Sequence, residues 1–192
     1  MSADLVCGGI LAGGQGLRMG GQDKGLLVHR GRALFEQVLD RLAPQVNGVL
    51  ISANRHHQRY AKAGWPVLAD RVSAGSGPLV GIATLLAACR YPWLLTVPVD
   101  APALPDDLRQ RLCAAQRRLN AAVVVAHDGE HAQPLFALYR TALAERAALA
   151  LAEGERAVWR FQQAEAAVIV DFSDQPQAFA NINYPEDLDP GQ

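Results

Sequence analysis

Ile10-Leu11-Ala12-Gly13-Gly14-Gln15-Gly16-Leu17-Arg18-Met19-Gly20-Gly21-Gln22-Asp23-Lys24-Gly25 continues from an apolar run, Leu5 to Leu11, that is too short for a typical helix and reads as a buried strand. Five glycines then fall between residues 13 and 21. Glycine at that density lets the backbone take positive φ and come close to a ligand, so successive amide N–H groups can converge on an anion. Arg18 and Lys24 add a guanidinium and an ammonium to the same stretch, a combination suited to holding a polyphosphate. The alternative is a surface loop whose glycines only permit turns; the phosphate reading is preferred.

Two familiar phosphate loops fail on spacing. In the Walker pattern the lysine follows a glycine and precedes Ser or Thr, whereas Lys24 follows Asp23 and precedes Gly25. A dinucleotide fingerprint needs Gly-x-Gly-x-x-Gly and an acid closing the second strand. Here Gly14 and Gly16 are followed by Gly20, one residue late, and the second strand candidate ends at Ser52-Ala53-Asn54 without an acid.

Outward from the loop, apolar runs and helical spacings alternate. Gly25 to Val28 is a short apolar run, and residues 33 to 42 place Leu34, Val38 and Leu42 on one helical face, closed by Pro44. Gly48 to Ser52 reads as a buried strand, Arg55 to Ala63 as a short helix, and Pro66 to Asp70 as a third strand ending on an acid. The turn Ala74 to Pro78 opens an apolar helix, Leu79 to Cys89. Trp93 to Pro98 is a fourth strand with Asp100 just beyond it. Pro105 to Leu119 is a helix with proline at its start. Ala121 to Ala126 and Leu135 to Tyr139 read as strands, Thr141 to Ala152 and Arg156 to Ala164 as helices, and Val168 to Phe172 as a late strand. This alternation predicts an α/β fold with a largely parallel sheet covered on both faces, in one domain spanning residues 1–192.

Ligands of such sheets bind beyond the carboxyl ends of the strands. The glycine loop, Ser52, Asn54, Asp70 and Asp100 all follow such ends, so they are expected to line one rim. A carboxylate at Asp100 beside bound phosphates would hold magnesium; otherwise it caps the turn before Pro102. Asn54 and Asp70 either read a base or ribose, or cap the helix at Arg55 and the turn at Asp70. His127, Asp128, Glu130 and His131 match no zinc spacing, and Asp128-Gly129 between two strands is a hairpin signal. His56 and His57 read as solvated helix residues.

Composition narrows the function. The 192 residues carry 18 Lys plus Arg against 19 Asp plus Glu, so the positive field that draws proteins onto nucleic acid is missing. Cys7, Cys89 and Cys113 form no Cys-x-x-Cys pair and are expected to be buried thiols in a reducing cytosol. The first apolar run is short, lacks a basic leader and flows into the glycines, unlike a secretion signal. No stretch approaches the ~20 apolar residues of a membrane span. A cytoplasmic protein without nucleic-acid or membrane partners is expected.

Leu11-Ala12-Gly13-Gly14, Arg18-Met19-Gly20 and Asp23-Lys24-Gly25 resemble the signature of nucleotidyltransferases that move a nucleoside monophosphate onto a phosphorylated acceptor. Ala53-Asn54-Arg55, Asp70, Gly77-Pro78-Leu79 with Gly81, Pro98 with Asp100 and Pro102, and Asn181-Ile182-Asn183 with Pro185-Glu186 narrow the resemblance to the molybdenum cofactor guanylyltransferases. It runs through nearly the whole chain. The resemblance implies a Rossmann-like three-layer αβα sandwich of the nucleotidyltransferase, glycosyltransferase-A-like type. By the same resemblance Leu11, Ala12, Gly13 and Gly14 would hold the nucleotide, and Arg18 and Lys24 would neutralise its triphosphate. Asn54 and Asp70 would contact guanosine, with a polar contact at Ser52, where some members carry asparagine. Asp100 would bind Mg2+ and act with Arg18 and Lys24 in catalysis. Gly77, Gly81, Asn181 and Asn183 fall on the acceptor side. In related sugar nucleotidyltransferases the position like Asn183 helps hold the metal.

The implied reaction is attack by the terminal phosphate of molybdopterin on the α-phosphorus of GTP, giving molybdopterin guanine dinucleotide and pyrophosphate. The acceptor is already ionised near neutral pH, so alignment and charge neutralisation suffice and no general base is needed. Implied partners are GTP and molybdopterin as substrates, with transient contact to proteins that deliver and receive the cofactor. The rival readings are a transferase using CTP on the same pterin or a nucleotide on a sugar phosphate, and a nucleotide-binding module without chemistry. Retention of Arg18, Lys24 and Asp100 together argues against the module.

Overall fold

A computed structural model of the chain describes residues 5–13, 22–70 and 77–182, and the structural statements below concern those residues. The first apolar run forms β1 (Val6–Leu11), with every residue buried. Its side chains alternate between two cores, as a strand period of two requires. Val6 and Ile10 enter one core with Phe35, Val38 and Leu112, while Cys7 and Leu11 enter the other with Leu79, Leu85 and Phe161. A strand covered on both faces reads as a continuous hydrophobic run, which is why the flanking strands were legible as well.

The strands that follow are β2 (Val28–His29), β3 (Arg32–Ala33), β4 (Gly48–Ser52), β5 (Val67–Leu68), β6 (Trp93–Pro98), β7 (Val123–His127), β8 (Ala132–Arg140) and β9 (Val168–Asp171). The helices are α1 (Leu34–Leu42), α2 (His57–Ala61), α3 (Pro78–Ala88), α4 (Leu108–Leu119), α5 (Ala144–Ala152) and α6 (Val158–Ala164). Seven strands form one sheet in the order β5-β4-β1-β6-β8-β7-β9. Within it only β8 runs against its neighbours; every other pairing is parallel. Residues of α1 and α4 fill the core on one face, and residues of α3, α5 and α6 fill that on the other. The expected α/β sandwich with a mostly parallel sheet is therefore the fold observed.

Several boundaries differ from the sequence reading. The short apolar run Gly25 to Val28 divides between two elements: Lys24–Leu26 is a 3-10 turn, and Val28 opens β2, which pairs with β3 in a two-stranded hairpin. The third strand is two residues long, and the helix expected from Arg55 begins at His57. α4 begins at Leu108, with Pro105 in the turn before it, where Leu108 N donates to Pro105 O at 3.3 Å. The first residues of the expected helix from Thr141 form a 3-10 turn, Thr141–Leu143, ahead of α5. Cys7 and Cys113 are buried as expected, but Cys89 is only half-buried at the end of α3. The polar stretch between β7 and β8 is the expected hairpin. Asp128 Oδ1 accepts from the backbone N–H groups of Glu130 (2.8 Å) and His131 (2.7 Å), and Gly129 takes φ 105°. Among the described residues no three His, Cys, Asp or Glu side chains group to hold a metal.

Candidate active site

Register places the site. Leu11 pairs with Ser52 and with Pro98, and Ser52 pairs with Leu68, so these four residues form one row across β5, β4, β1 and β6. All four strands run in parallel and end at that row. Two residues past the row on each strand stand Gly13, Asn54, Asp70 and Asp100. The backbone beyond the row stays tied: Ala12 N donates to Ser52 O at 2.8 Å, Ala53 N to Leu68 O at 2.9 Å and Val99 N to Leu11 O at 3.2 Å.

A cavity of about 400 Å³ opens over this edge, lined by Leu11, Ala12, Gly13, Lys24, Ser52, Asp70, Gly77, Pro78, Gly81, Pro98, Val99, Asp100 and Leu135. Its volume is in the range of small-molecule sites. At one side Lys24 Nζ lies 2.5 Å from Asp100 Oδ2, with both side chains more than four-fifths buried. On the other side Asp70 takes three hydrogen bonds. Its Oδ1 accepts from Ser52 Oγ (3.0 Å), its Oδ2 accepts from Asn54 Nδ2 (2.7 Å), and its backbone N–H donates to Asn54 Oδ1 (2.9 Å). A Cβ at Gly13 would stand 3.3 Å from Asn54 Nδ2 and 3.4 Å from Asp70 Oδ2, so the end of β1 lies directly against this pair.

Gly81 brings α3 to the same edge. A Cβ there would come within 2.9 Å of Ser52 Oγ and 3.1 Å of Leu11 Cδ2. Gly77, at φ 84°, begins the turn into α3.

Of the residues singled out in the sequence, Leu11, Ala12, Gly13, Lys24, Ser52, Asp70, Gly77, Gly81 and Asp100 line the cavity together. Asn54 is not a lining residue. It caps no helix either, since its side chain is given to Asp70 and α2 starts at His57. Ser52 is fully buried and its hydroxyl donates to Asp70, so it acts on the cavity through that carboxylate. Asn181 is exposed and does not line the cavity, although Ile182 N donates to Asp100 O at 2.8 Å and ties that segment to the rim. Gly14, Arg18 and Asn183 lie outside the described residues.

Four further residues were missed. Asp23, nearly fully buried beside Lys24, accepts from Tyr60 Oη at 2.5 Å and from His56 Nδ1 at 2.9 Å. Burial pushes the pKa of the Tyr60 hydroxyl up, and the Asp23 carboxylate pushes it the same way. His56 is therefore not simply a solvated helix residue: it takes φ 51°, a left-handed conformation, just before α2. The signal in sequence was Asp23 itself, an acid placed against the key lysine. Leu135 enters the cavity wall from β8, which no local pattern linked to the rim.

The MobA-like NTP transferase domain model matches residues 8–168. A protein of Pasteurella multocida (strain Pm70) named molybdenum cofactor guanylyltransferase is 48% identical over 179 residues, covering 93% of this chain and 95% of that one. One of the same name from Shewanella loihica is 44% identical over 177 residues, covering 92% and 90%. The structure of molybdopterin-guanine dinucleotide biosynthesis protein A from Archaeoglobus fulgidus superposes with TM-score 0.77 at 20% identity, covering 94% of each chain. 2-C-methyl-D-erythritol 4-phosphate cytidylyltransferase from Thermus thermophilus gives 0.69 at 20% identity, covering 93% of each. At such identities the superpositions speak for the fold alone.

Proposed function

Because the chain belongs to the molybdenum cofactor guanylyltransferases, within the MobA-like NTP transferase family, we propose that it transfers GMP from GTP to the terminal phosphate of molybdopterin. The observation that carries the reading is a cavity at the strand ends with an ammonium–carboxylate pair, Lys24 and Asp100, on one side and the hydrogen-bonded Asp70 on the other. An acceptor phosphate oxygen bonds to the α-phosphorus of GTP, the bond from that phosphorus to the bridging oxygen breaks, and pyrophosphate leaves with the electron pair. Neither oxygen needs a proton removed near neutral pH. The side chains are therefore asked only to align two anions and cancel their charge.

Lys24 supplies one positive charge at the phosphates, joined by Arg18 of the glycine loop. The amides of Leu11, Ala12, Gly13 and Gly14 bind the nucleotide. Asp70, oriented by Ser52 and Asn54, accepts hydrogen bonds from guanosine, whose base N–H groups and ribose hydroxyls are donors; a carboxylate already fixed at both oxygens loses little freedom on accepting them. Gly77, Gly81, Asn181 and Asn183 would serve the acceptor.

Asp100 fits magnesium. The ion is commonly held by one or two carboxylates plus substrate phosphates rather than by an all-protein cage, and Asp100 offers one carboxylate facing the cavity. When bound, Mg2+ would neutralise phosphate charge.

The test is pyrophosphate release from GTP, with CTP, ATP and UTP in parallel, in the presence of Mg2+ and molybdopterin. GTP-selective release that needs the acceptor is expected. Release from CTP instead would change the product, and nucleotide binding without release would overturn the transfer reading.

A further inference from the structure

Asp23-Lys24-Gly25 stands out in the sequence, yet the transfer chemistry uses only its middle residue. We propose that Asp23, held by Tyr60 and His56, is the positioning residue that aims the Lys24 ammonium into the cavity. The inference rests on Lys24 being the transfer-site cation.

The argument is one of anchoring. A lysine has a long flexible stem, and its charge is useful only if the backbone that carries it is fixed. Asp23 is fixed at both carboxylate oxygens, by Tyr60 Oη at 2.5 Å and His56 Nδ1 at 2.9 Å. Tyr60 is itself immobile: it is fully buried, with its ring edge-on to Phe35 at 4.9 Å. The backbone of Asp23 then closes the turn that follows, because Leu26 N donates to Asp23 O at 3.0 Å and Leu27 N to Lys24 O at 3.2 Å.

Gly25 completes the clamp. A Cβ there would stand 2.4 Å from Tyr60 Oη and 2.8 Å from Val99 Cγ2, so the turn is pressed between the tyrosine and the residue before Asp100. Three consecutive residues thus serve one purpose: Asp23 holds, Lys24 acts, and Gly25 permits the approach. Tyr60 and His56 come from beyond β4 in the chain, which explains why they sit 37 and 33 positions away in sequence.

The experiment is a double-mutant cycle on the intact chain. Tyr60→Phe keeps the ring and removes the hydroxyl that Asp23 accepts from. It is expected to lower kcat for pyrophosphate release about tenfold, less than the ~100-fold of removing the ammonium, with KM for GTP changed less than about twofold. In a Lys24→Ala background the same change should leave kcat unaltered, because there is no ammonium left to aim. Equal losses in both backgrounds, or no loss in the wild-type background, would overturn the inference. His56→Asn, which keeps a side chain tolerant of left-handed φ on a half-exposed residue, repeats the cycle if Tyr60→Phe does not fold.

A second readout does not depend on the reaction. Acetylation of the Lys24 amine by a limiting reagent, followed by mass spectrometry, should rise several-fold in Tyr60→Phe relative to the other lysine, Lys62. Unchanged reactivity would overturn the positioning role even if the transfer reading stands. Raised reactivity with no GTP-dependent release in the unaltered protein would leave the anchoring in place and remove the transfer reading alone.

Discussion

At Lys24 and Asp100, opposite charges 2.5 Å apart are largely withdrawn from water, so each stabilises the other only while both remain. The ammonium has three N–H donors, so it can meet a ligand phosphate while still facing the carboxylate, and under the proposed function that carboxylate is the one that would take a divalent ion. Lys24→Ala and Asp100→Ala are each expected to cut turnover by at least ~100-fold, the loss that follows removal of one charge-stabilising group. Steady-state pyrophosphate release measures it, and near-normal turnover in both would remove the mechanism. Asp70 differs in kind, since its carboxylate oxygens already accept from Ser52 and Asn54. Asp70→Asn removes the charge and one acceptor; it keeps both internal contacts only by donating to Ser52 Oγ while accepting from Asn54 Nδ2. GTP affinity should fall about 10- to 100-fold, the range for a hydrogen bond to a charged group. Calorimetry with GTP decides it, and an unchanged Kd would take Asp70 out of nucleotide recognition.

Among the elements, α3 joins core to cavity. Its residues from Leu79 to Leu86 are all buried, and its N-terminal turn lines the site. Gly81→Ala would put a methyl 2.9 Å from Ser52 Oγ and 3.1 Å from Leu11 Cδ2, so either Ser52 turns away from Asp70 or α3 lifts from the sheet. Overpacking of this kind costs about 1–3 kcal/mol, and urea unfolding should show it together with weaker GTP binding. A stability loss with unchanged binding would separate the helix seat from the site. Much of this was legible in sequence. A helix apolar on all sides must be buried, and parallel strands covered on both faces announce themselves as unbroken hydrophobic runs. What was illegible has physical reasons. Helix starts were misjudged at α2 and α4 because His56 takes a left-handed φ just before α2 and Pro105 belongs to a turn, closed by Leu108 N to Pro105 O, ahead of α4. β5 shrank to Val67–Leu68 because only those residues stand in register with β4, opposite Ile51 and Ser52, while Pro66 lends only its carbonyl to Ile51 N. The rim carboxylates were found from strand ends alone, but the Tyr60–Asp23 hydrogen bond and the Leu135 wall depend on tertiary approach that no local pattern encodes.

At the scale of the molecule the sheet separates two apolar layers, and among the described residues each contains one fully buried tyrosine: Tyr60 on the α1 face and Tyr139 on the α3 face. Both hydroxyls are hydrogen-bonded, Tyr60 to Asp23 and Tyr139 to Gln162 at 2.6 Å. Burial raises both pKa values above the ordinary 10.0; Asp23 raises that of Tyr60 further, while Gln162 opposes the shift at Tyr139. The folded protein therefore keeps protons that the unfolded chain gives up above about pH 10. A raised folded-state pKa means that this contribution to stability is intact below the unfolded value and is lost as pH rises past it. Each tyrosine should steepen the decline by about 1.4 kcal/mol per pH unit above about pH 10. Tyr139→Phe, remote from the cavity, removes one of the two. Urea unfolding free energies followed from about pH 9 to about pH 11 should show a decline shallower by that amount in the variant, with GTP binding at neutral pH unchanged. An identical alkaline slope would mean that the Tyr139 hydroxyl ionises as readily in the folded chain as in water, against its complete burial on β8.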